Sequence, residues 1–475
     1  MAGFIVYDLV FLVLFTLAVV VFLYKRRKNL QRQGLLYLYR TKVGIKFIDW
    51  TSKKFPNTLR AMQYVVLVSG YLLMIGMIYL LIQFSYLYIT SPVAAKALKV
   101  PVIIPLVPYL PAIFNLDFLP PLYFTYWILI IIIIAVPHEF AHGIFARLKG
   151  IKVHSTGFGF LGPFLAAFVE PDEKQMEKAG KFTQLSVLAA GTFANVVFSV
   201  IFCLLFWLFF VLAFHPAGVI FNSYASTIVP LSSIVAIDSV PINNVGQIIG
   251  VLNKSESFTR ISVRNDSSQE DFYVATPNLV AVIDNNLDSV PVIMDSPAFN
   301  ARLAGPISEI DGVKITSFDQ LRGILSSHEP GDTISITTID SDSKESKTQD
   351  ITLRGVNGKA FLGIGIASSQ PRGVMGYISG FITGIKDPFV YYQSSLGDFG
   401  LFIYYFFWWA VLVSISVALV NMLPLGIFDG GRFFLITVWA ITGSKKAGER
   451  AYKISTYLLL ALVAALMLKW VLIFV

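Results

Sequence analysis

Cysteine is almost absent from this sequence: Cys203 is the one example among 475 residues. No disulfide can therefore form within the chain, and no zinc site built from several thiolates is available. Cys203 sits in an apolar run and reads as a small packing residue. Histidine is nearly as scarce, with five, so two of them close together carry information. Charge is thin as well: Asp, Glu, Lys and Arg make up 14% of the residues, against 55% apolar types. That is too little charge for a disordered chain and too much apolar surface for a soluble one, which leaves a membrane protein.

Six apolar runs are long enough for a helix to cross a hydrocarbon layer of about 30 Å, which takes about 20 residues. They cover residues 4–24, 63–90, 122–144, 184–214, 400–425 and 452–475. The first is followed at once by Lys25, Arg26, Arg27 and Lys28, the reverse of the order in a cleaved signal peptide. Between residues 25 and 60, eleven Lys and Arg face a single acid, Asp49, and the positive-inside rule keeps this segment in the cytoplasm. Counting crossings from there puts 146–183 inside and 215–399 outside. Arg147, Lys149, Lys152, Lys445, Lys446 and Arg450 all fall on the inner side in agreement. The net charge of +8 then belongs to loops beside anionic headgroups of the lipid bilayer, with no nucleic acid implied. The expectation is a polytopic α-helical, multi-pass protein of the plasma membrane. Its first helix and basic segment occupy 1–62, and its membrane core occupies 63–214 and 372–475.

Residues 215–371 break the apolar pattern with short alternating runs separated by Gly, Pro, Asn, Asp and Ser, and carry ten basic against seventeen acidic residues. An extramembrane α+β insert is predicted. Shifted by 73 residues, the insert matches itself: Ile234, Ile237, Asp238, Ile242, Gln247 and Leu252 fall on Ile307, Ile310, Asp311, Ile315, Gln320 and Leu325. The second copy, with SPAFNARLAGPISEIDGVKI from Ser296 and EPGDTISIT from Glu329, resembles a circularly permuted bacterial PDZ domain. The expected modules are 215–285 and 286–371. By that resemblance Phe361, Leu362, Gly363 and Ile364 form the turn and strand that would bind a peptide end. The corresponding stretch of the first copy, 278–283, has no glycine and predicts a copy without that ability. A steric filter or spacer is the alternative for both. Two further stretches stand apart: 91–121, with seven prolines, predicts an irregular loop, and 372–398, apolar but broken by glycine, predicts an interfacial segment.

The chemistry-bearing residues are few. His138, Glu139 and His142 form HExxH on the last turns of the third span. Residues four apart share a helix face, so both imidazoles can reach one metal while Glu139 is turned by about 100° toward a bound water. A catalytic zinc takes three protein ligands and leaves one position open. Asn195, Asn421, Asp429 and Arg432 are the polar residues in apolar surroundings on the predicted cytoplasmic half, and Asp429 is the one acid among them. Asp429 is therefore the best third ligand, with a structural role at a helix end as its alternative. His154, among loop residues, reads as an ordinary polar side chain.

Three separated motifs, HEFAH at 138–142, GTFAN at 191–195 and NMLPLGIFDGG at 421–431, resemble those of the site-2 protease family of intramembrane metalloproteases, in the same order. The resemblance implies one Zn2+ held by His138, His142 and Asp429, with Glu139 as catalytic base. It makes Asn195 and Asn421 supports for substrate or oxyanion, with helix packing as the alternative. It further implies that the glycine-rich segment 157–170 forms a membrane-embedded hairpin or loop beside the site. The implied partners are transmembrane protein substrates already cut by another protease, with the insert gating their access. A catalytically idle scaffold is the rival from another class. A zinc transporter is weaker, because a single site near one face provides no relay across the bilayer.

Overall fold

In the computed structural model of the chain, the described residues are 2–474 except 34–35, 91–105, 117–118, 162–163, 253–256, 266–267, 286, 341–343 and 366–385. Much of the proline-rich stretch and about half of 372–398 thus lie outside the described residues. Two compact units result, Met1–Phe210 with Asp398–Val475, and Val211–Gly397.

The first unit is helical. Its main helices are α1 (Ala2–Arg26), α2 (Ile45–Lys54), α3 (Pro56–Thr90), α4 (Phe124–Leu148), α5 (Lys181–Ala213), α6 (Gly397–Asn421), α7 (Asp429–Thr442) and α8 (Lys445–Phe474). Six of these, all but α2 and α7, are long and apolar enough to cross a membrane, as the sequence predicts. They are apolar around most of their circumference and expose many large apolar side chains, the pattern of helices solvated by lipid rather than water. Where they meet, Val66 and Met74 of α3, Phe145 and Ala146 of α4, Ala189 and Ala190 of α5, Ala418 of α6 and Phe433 of α7 form one buried cluster. Small residues permit the approach: a Cβ at Gly70 of α3 would press on Ala189 and the ring of Phe433.

The fifth span stops at Asn421, short of the expected 425, because Pro424 cannot continue the helix and the chain turns through 422–428 into α7. The six-span count passes over this extra helix. Gly430 and Gly431 make it feasible, since a Cβ at either would collide with the backbone of Met422 and Leu423 or of Leu425. Asp429 is thereby the first residue of α7, where the helix dipole favours a carboxylate.

Beside the helices lies an antiparallel sheet of β1 (Leu30–Gln33), β2 (Leu36–Thr41), β3 (Val153–Leu161) and β4 (Phe164–Pro171), in that order. The hairpin expected over 157–170 is β3 and β4. The basic segment between the first two spans, for which the sequence predicts only a cytoplasmic location, adds two strands to this hairpin, with Tyr39 opposite Phe158. Gly157 permits the pairing, because a Cβ there would strike the Tyr39 carbonyl.

The second unit contains two six-stranded sheets and two apolar cores. The repeat is visible in its turns. Asp238 and Asp311 both adopt positive φ, and each accepts a hydrogen bond from a neighbouring strand, from Arg260 N at 3.1 Å and Ser335 N at 2.7 Å. Gln247 and Gln320 each reach back to a backbone N–H, of Asn243 and Thr316, while Asn244 and Ser317 cap the same turns. The strands are distributed less simply than a division at 285/286. Strand Ser289–Met294 pairs within the first sheet, beside Ser226–Pro230 and Ser268–Ala275. Strand Phe214–Val219, at the start of the expected first module, pairs in the second sheet, with Ile307 opposite Val219. The first copy is thus set between strands of the second. Its stretch 278–283 lies in a helix, Thr276–Asp284, whereas the second copy has the short strands Lys359–Phe361 and Ile364–Gly365.

Candidate metal centre

Helix α4 brings His138 and His142 onto one face, with their Nε2 atoms 3.1 Å apart. The turn into α7 delivers Asp429 Oδ2 to 3.4 Å from His138 Nε2 and 3.3 Å from His142 Nε2. Ligands about 2.0–2.1 Å from a tetrahedral zinc stand about 3.3–3.4 Å from one another, so the three atoms have the separations of three corners of such a site. Among the described residues this is the one cluster of three His, Cys, Asp or Glu whose donor atoms lie that close together.

The surrounding groups favour a cation. His142 Nδ1 lies 2.7 Å from the Val187 carbonyl, an acceptor, so Nδ1 carries the hydrogen and the neutral ring turns its Nε2 lone pair toward His138 and Asp429. Lone pairs and a carboxylate at these distances require positive charge among them, either protons on the rings or one shared metal ion. His138 Nδ1 lies 3.1 Å from Asn195 Nδ2, while the fully buried Asn195 Oδ1 has no partner. A half-turn of this amide would let Oδ1 accept from a protonated Nδ1, freeing Nε2 of His138 for a metal and satisfying the orphaned oxygen together.

The GTFAN motif is explained by the same geometry. A Cβ at Gly191 would collide with the Nε2 atoms of both imidazoles, so α5 can approach the centre only where it has glycine. One turn later, on the same helix face, Asn195 meets His138. Glu139 lies beside the cluster, and its Oε2 accepts a hydrogen bond from Val169 N of β4 at 2.9 Å. Because β4 is the sheet's outer strand and Val169 N is spent on Glu139 rather than on β3, the alternate backbone groups of β4 face away from the sheet on this side.

The far end of α4 is held by a residue that sequence reasoning missed. Asp8 of α1 is 1% exposed and accepts from Phe124 N at 2.8 Å, Thr125 N at 2.9 Å, Thr125 Oγ1 at 2.5 Å and Tyr109 Oη at 2.6 Å. Tyr123, at the N-cap position, makes no side-chain cap, so Asp8 caps α4 from another helix. Apart from Glu139 of HExxH it is the one acid within the six apolar runs, and the rule that intramembrane charge is rarely idle would have found it. The basic segment also braces α4: Asp49 of α2 pairs with Arg147 at 3.1 Å, and Phe47 packs on Phe140. Glu170 of β4 accepts from Ser155 Oγ at 2.5 Å and pairs with Arg40 of β2 at 3.0 Å; the Ser155 hydroxyl, then Arg40, hold its carboxyl below the usual range.

The other residues of interest fall elsewhere. Asn421 ends α6, and the structure records no hydrogen bond from its side chain to the cluster. Arg432 is exposed, and His154 pairs with Asp172 at 3.0 Å, outside the cluster. Phe361–Ile364 belong to the second unit. There the Leu362 carbonyl accepts from Ala298 N, Gly363 takes a φ of +87° and its carbonyl accepts from Ala225 N, and Ile364 pairs with Tyr224.

A family model described as peptidase family M50 matches residues 126–466. An uncharacterized protein of Methanocaldococcus jannaschii is 29% identical over 169 residues, 34% of this chain and 41% of that protein. The chain thus matches less than half the length of this relative.

Proposed function

The chain belongs to peptidase family M50, the site-2 protease family, and from that premise we propose that it is a zinc-dependent intramembrane endopeptidase acting on transmembrane segments of other proteins. The family makes it a membrane metalloprotease, and six apolar helices agree. The observation that carries the finer reading is the meeting of His138, His142 and Asp429, from two helices nearly 300 residues apart in sequence, with the separations of tetrahedral ligands.

In this reading His138, His142 and Asp429 hold one zinc ion. The bound ion would supply a water of lowered pKa and polarise the scissile carbonyl. Glu139, next to the ligands on α4, takes the proton from the attacking water and passes it to the leaving amine. Its hydrogen bond from Val169 N keeps the carboxylate on the side of β4. Asn195 orients His138, and Asn421 is proposed as a support for the substrate strand. An intact helix hides its peptide bonds, so a transmembrane substrate must unwind. The outward backbone groups of β4 can receive the unwound strand by edge pairing, within reach of Glu139.

The insert is proposed to limit which substrates gain access, with Phe361–Ile364 offering a turn of the PDZ kind. Substrates trimmed by another protease fit such a filter. The cations at 25–60 support an orientation in the cell membrane with this segment in the cytoplasm and the insert outside.

The test is cleavage of a single-span membrane peptide by wild type and by Glu139→Gln in lipid vesicles, with metal content measured in parallel. The variant is expected to keep its zinc and lose activity by on the order of 10²–10⁴-fold. Undiminished cleavage would refute the role of Glu139. Absence of zinc from active wild type would refute the metal mechanism, and a wild type that holds no zinc and cuts nothing would return the scaffold reading.

A further inference from the structure

Helix α2 presents a face that the proteolytic reading leaves unused. It is amphipathic, with Ile48 and Ser52 buried against the rest of the unit. The opposite side carries Val43, Phe47, Trp50 and Lys54 at helical spacing, flanked by Lys46 and Lys53. Val43 is 77% exposed, Phe47 51%, Trp50 49% and the adjoining Phe55 43%. Lys54 lies 4.6 Å above the Trp50 ring. Lys42 and Arg60 are exposed nearby, and the single acid of the region, Asp49, is occupied by Arg147. The face therefore has aromatic rings, cations and no free negative charge.

Chain continuity says where this face lies. Helix α3, a candidate membrane span, starts at Pro56, directly after the C-cap of α2 at Phe55. α2 must consequently lie at the boundary where that span leaves the bilayer. The indole of Trp50, the phenyl ring of Phe47 and long cationic stems suit the headgroup layer, the rings dipping toward the acyl chains while the ammonium groups stay among phosphates.

We propose that α2 is a binding surface for anionic phospholipid headgroups, with Lys46, Lys53 and Lys54 as the phosphate-facing cations and Phe47 and Trp50 as the interfacial anchors. The surface is built onto the metal-site helix. Phe47 packs on Phe140, Ile48 fits the notch left by Gly143, and Asp49 holds Arg147, so α2 follows one face of α4 through the HExxH turns. Each such cation gives about a fivefold preference for an anionic over a neutral surface at low salt. The preference weakens as salt shortens the screening length.

The inference requires a membrane protein and does not depend on proteolysis. Its test is fluorescence quenching of the full-length protein in vesicles of unlabelled phosphatidylcholine that contain phosphatidylglycerol or phosphatidylcholine with brominated acyl chains at equal mole fraction. The signal of Trp50 is taken as the difference between wild type and Trp50→Phe. Brominated phosphatidylglycerol is expected to quench this signal at least about twofold more strongly, and a Lys46→Gln, Lys53→Gln, Lys54→Gln variant is expected to lose the difference. Equal quenching by both lipids would overturn the proposal and leave the cations to a soluble acidic partner. A preference that survives in the triple variant would overturn it equally. The lysines are exposed, and unchanged circular dichroism of the variant separates lost binding from lost fold.

Discussion

The two ends of helix α4 each carry a carboxylate brought by another helix, and the two sites differ in what surrounds the charge. Asp8, at the N-terminal end, is met by four hydrogen-bond donors, which fills the acceptor capacity of a carboxylate. Asp429, near the other end, is met by two imidazole nitrogens, and His142 already spends its Nδ1 hydrogen on Val187. Both acids lie in apolar helices where an unpaired charge costs on the order of 3 kcal/mol or more. Full satisfaction by protein donors marks a structural joint. A carboxylate facing nitrogens, with too few hydrogens to share, marks a place for a cation.

Substitutions at the two ends test this contrast, and the largest effect is expected where side-chain volume enters the donor-poor site. Gly191→Ala places a methyl group against the Nε2 atoms of both imidazoles and must displace the rings. Displacements of about 1 Å cost on the order of 10²-fold in rate, so cleavage is expected to fall at least that far, with a matching loss of bound metal. Full activity and metal content would mean that α5 does not crowd the centre. Asn195→Ala should be milder. It removes the orienting partner of His138, and metal affinity measured by chelator competition is expected to drop by about 10–100-fold while the fold persists.

The Asp8 end should respond in a different currency, stability rather than metal. Asp8→Ala leaves two backbone N–H groups, a hydroxyl and a phenol without their acceptor. The expected loss is on the order of 2–4 kcal/mol, read as a lower thermal midpoint in detergent, with metal affinity unchanged. If Asp8→Ala instead lost metal and kept its midpoint, the distinction between joint and site would collapse.

Much of the site could be read from the sequence, because its elements are local patterns. The His138 and His142 spacing needs one helix, the Gly191 and Asn195 spacing needs one turn, and Asp429 stood out as an acid among apolar neighbours. The six spans were equally plain, since lipid demands long apolar runs. What escaped was long-range. Asp8 caps α4 across 116 residues, and strand β2 joins β3 across more than 100, and neither partner leaves a trace in the other's local pattern. Helix α7 leaves little local trace because Pro424, Gly430 and Gly431 disfavour helix, whereas the two glycines are what allow its first turn to pack against the backbone of 422–425. The interleaved strands of the insert escaped for a related reason: a 73-residue repeat gives the copies but not which sheet each flanking strand joins.

Whether Asp429 and not Asp8 holds a cation is decided by the metal content of the purified protein in three forms: wild type, Asp8→Ala and Asp429→Ala. About one zinc ion per chain is expected in wild type and Asp8→Ala, and its loss in Asp429→Ala. Zinc retained at full stoichiometry by Asp429→Ala, or missing from wild type, would contradict this assignment.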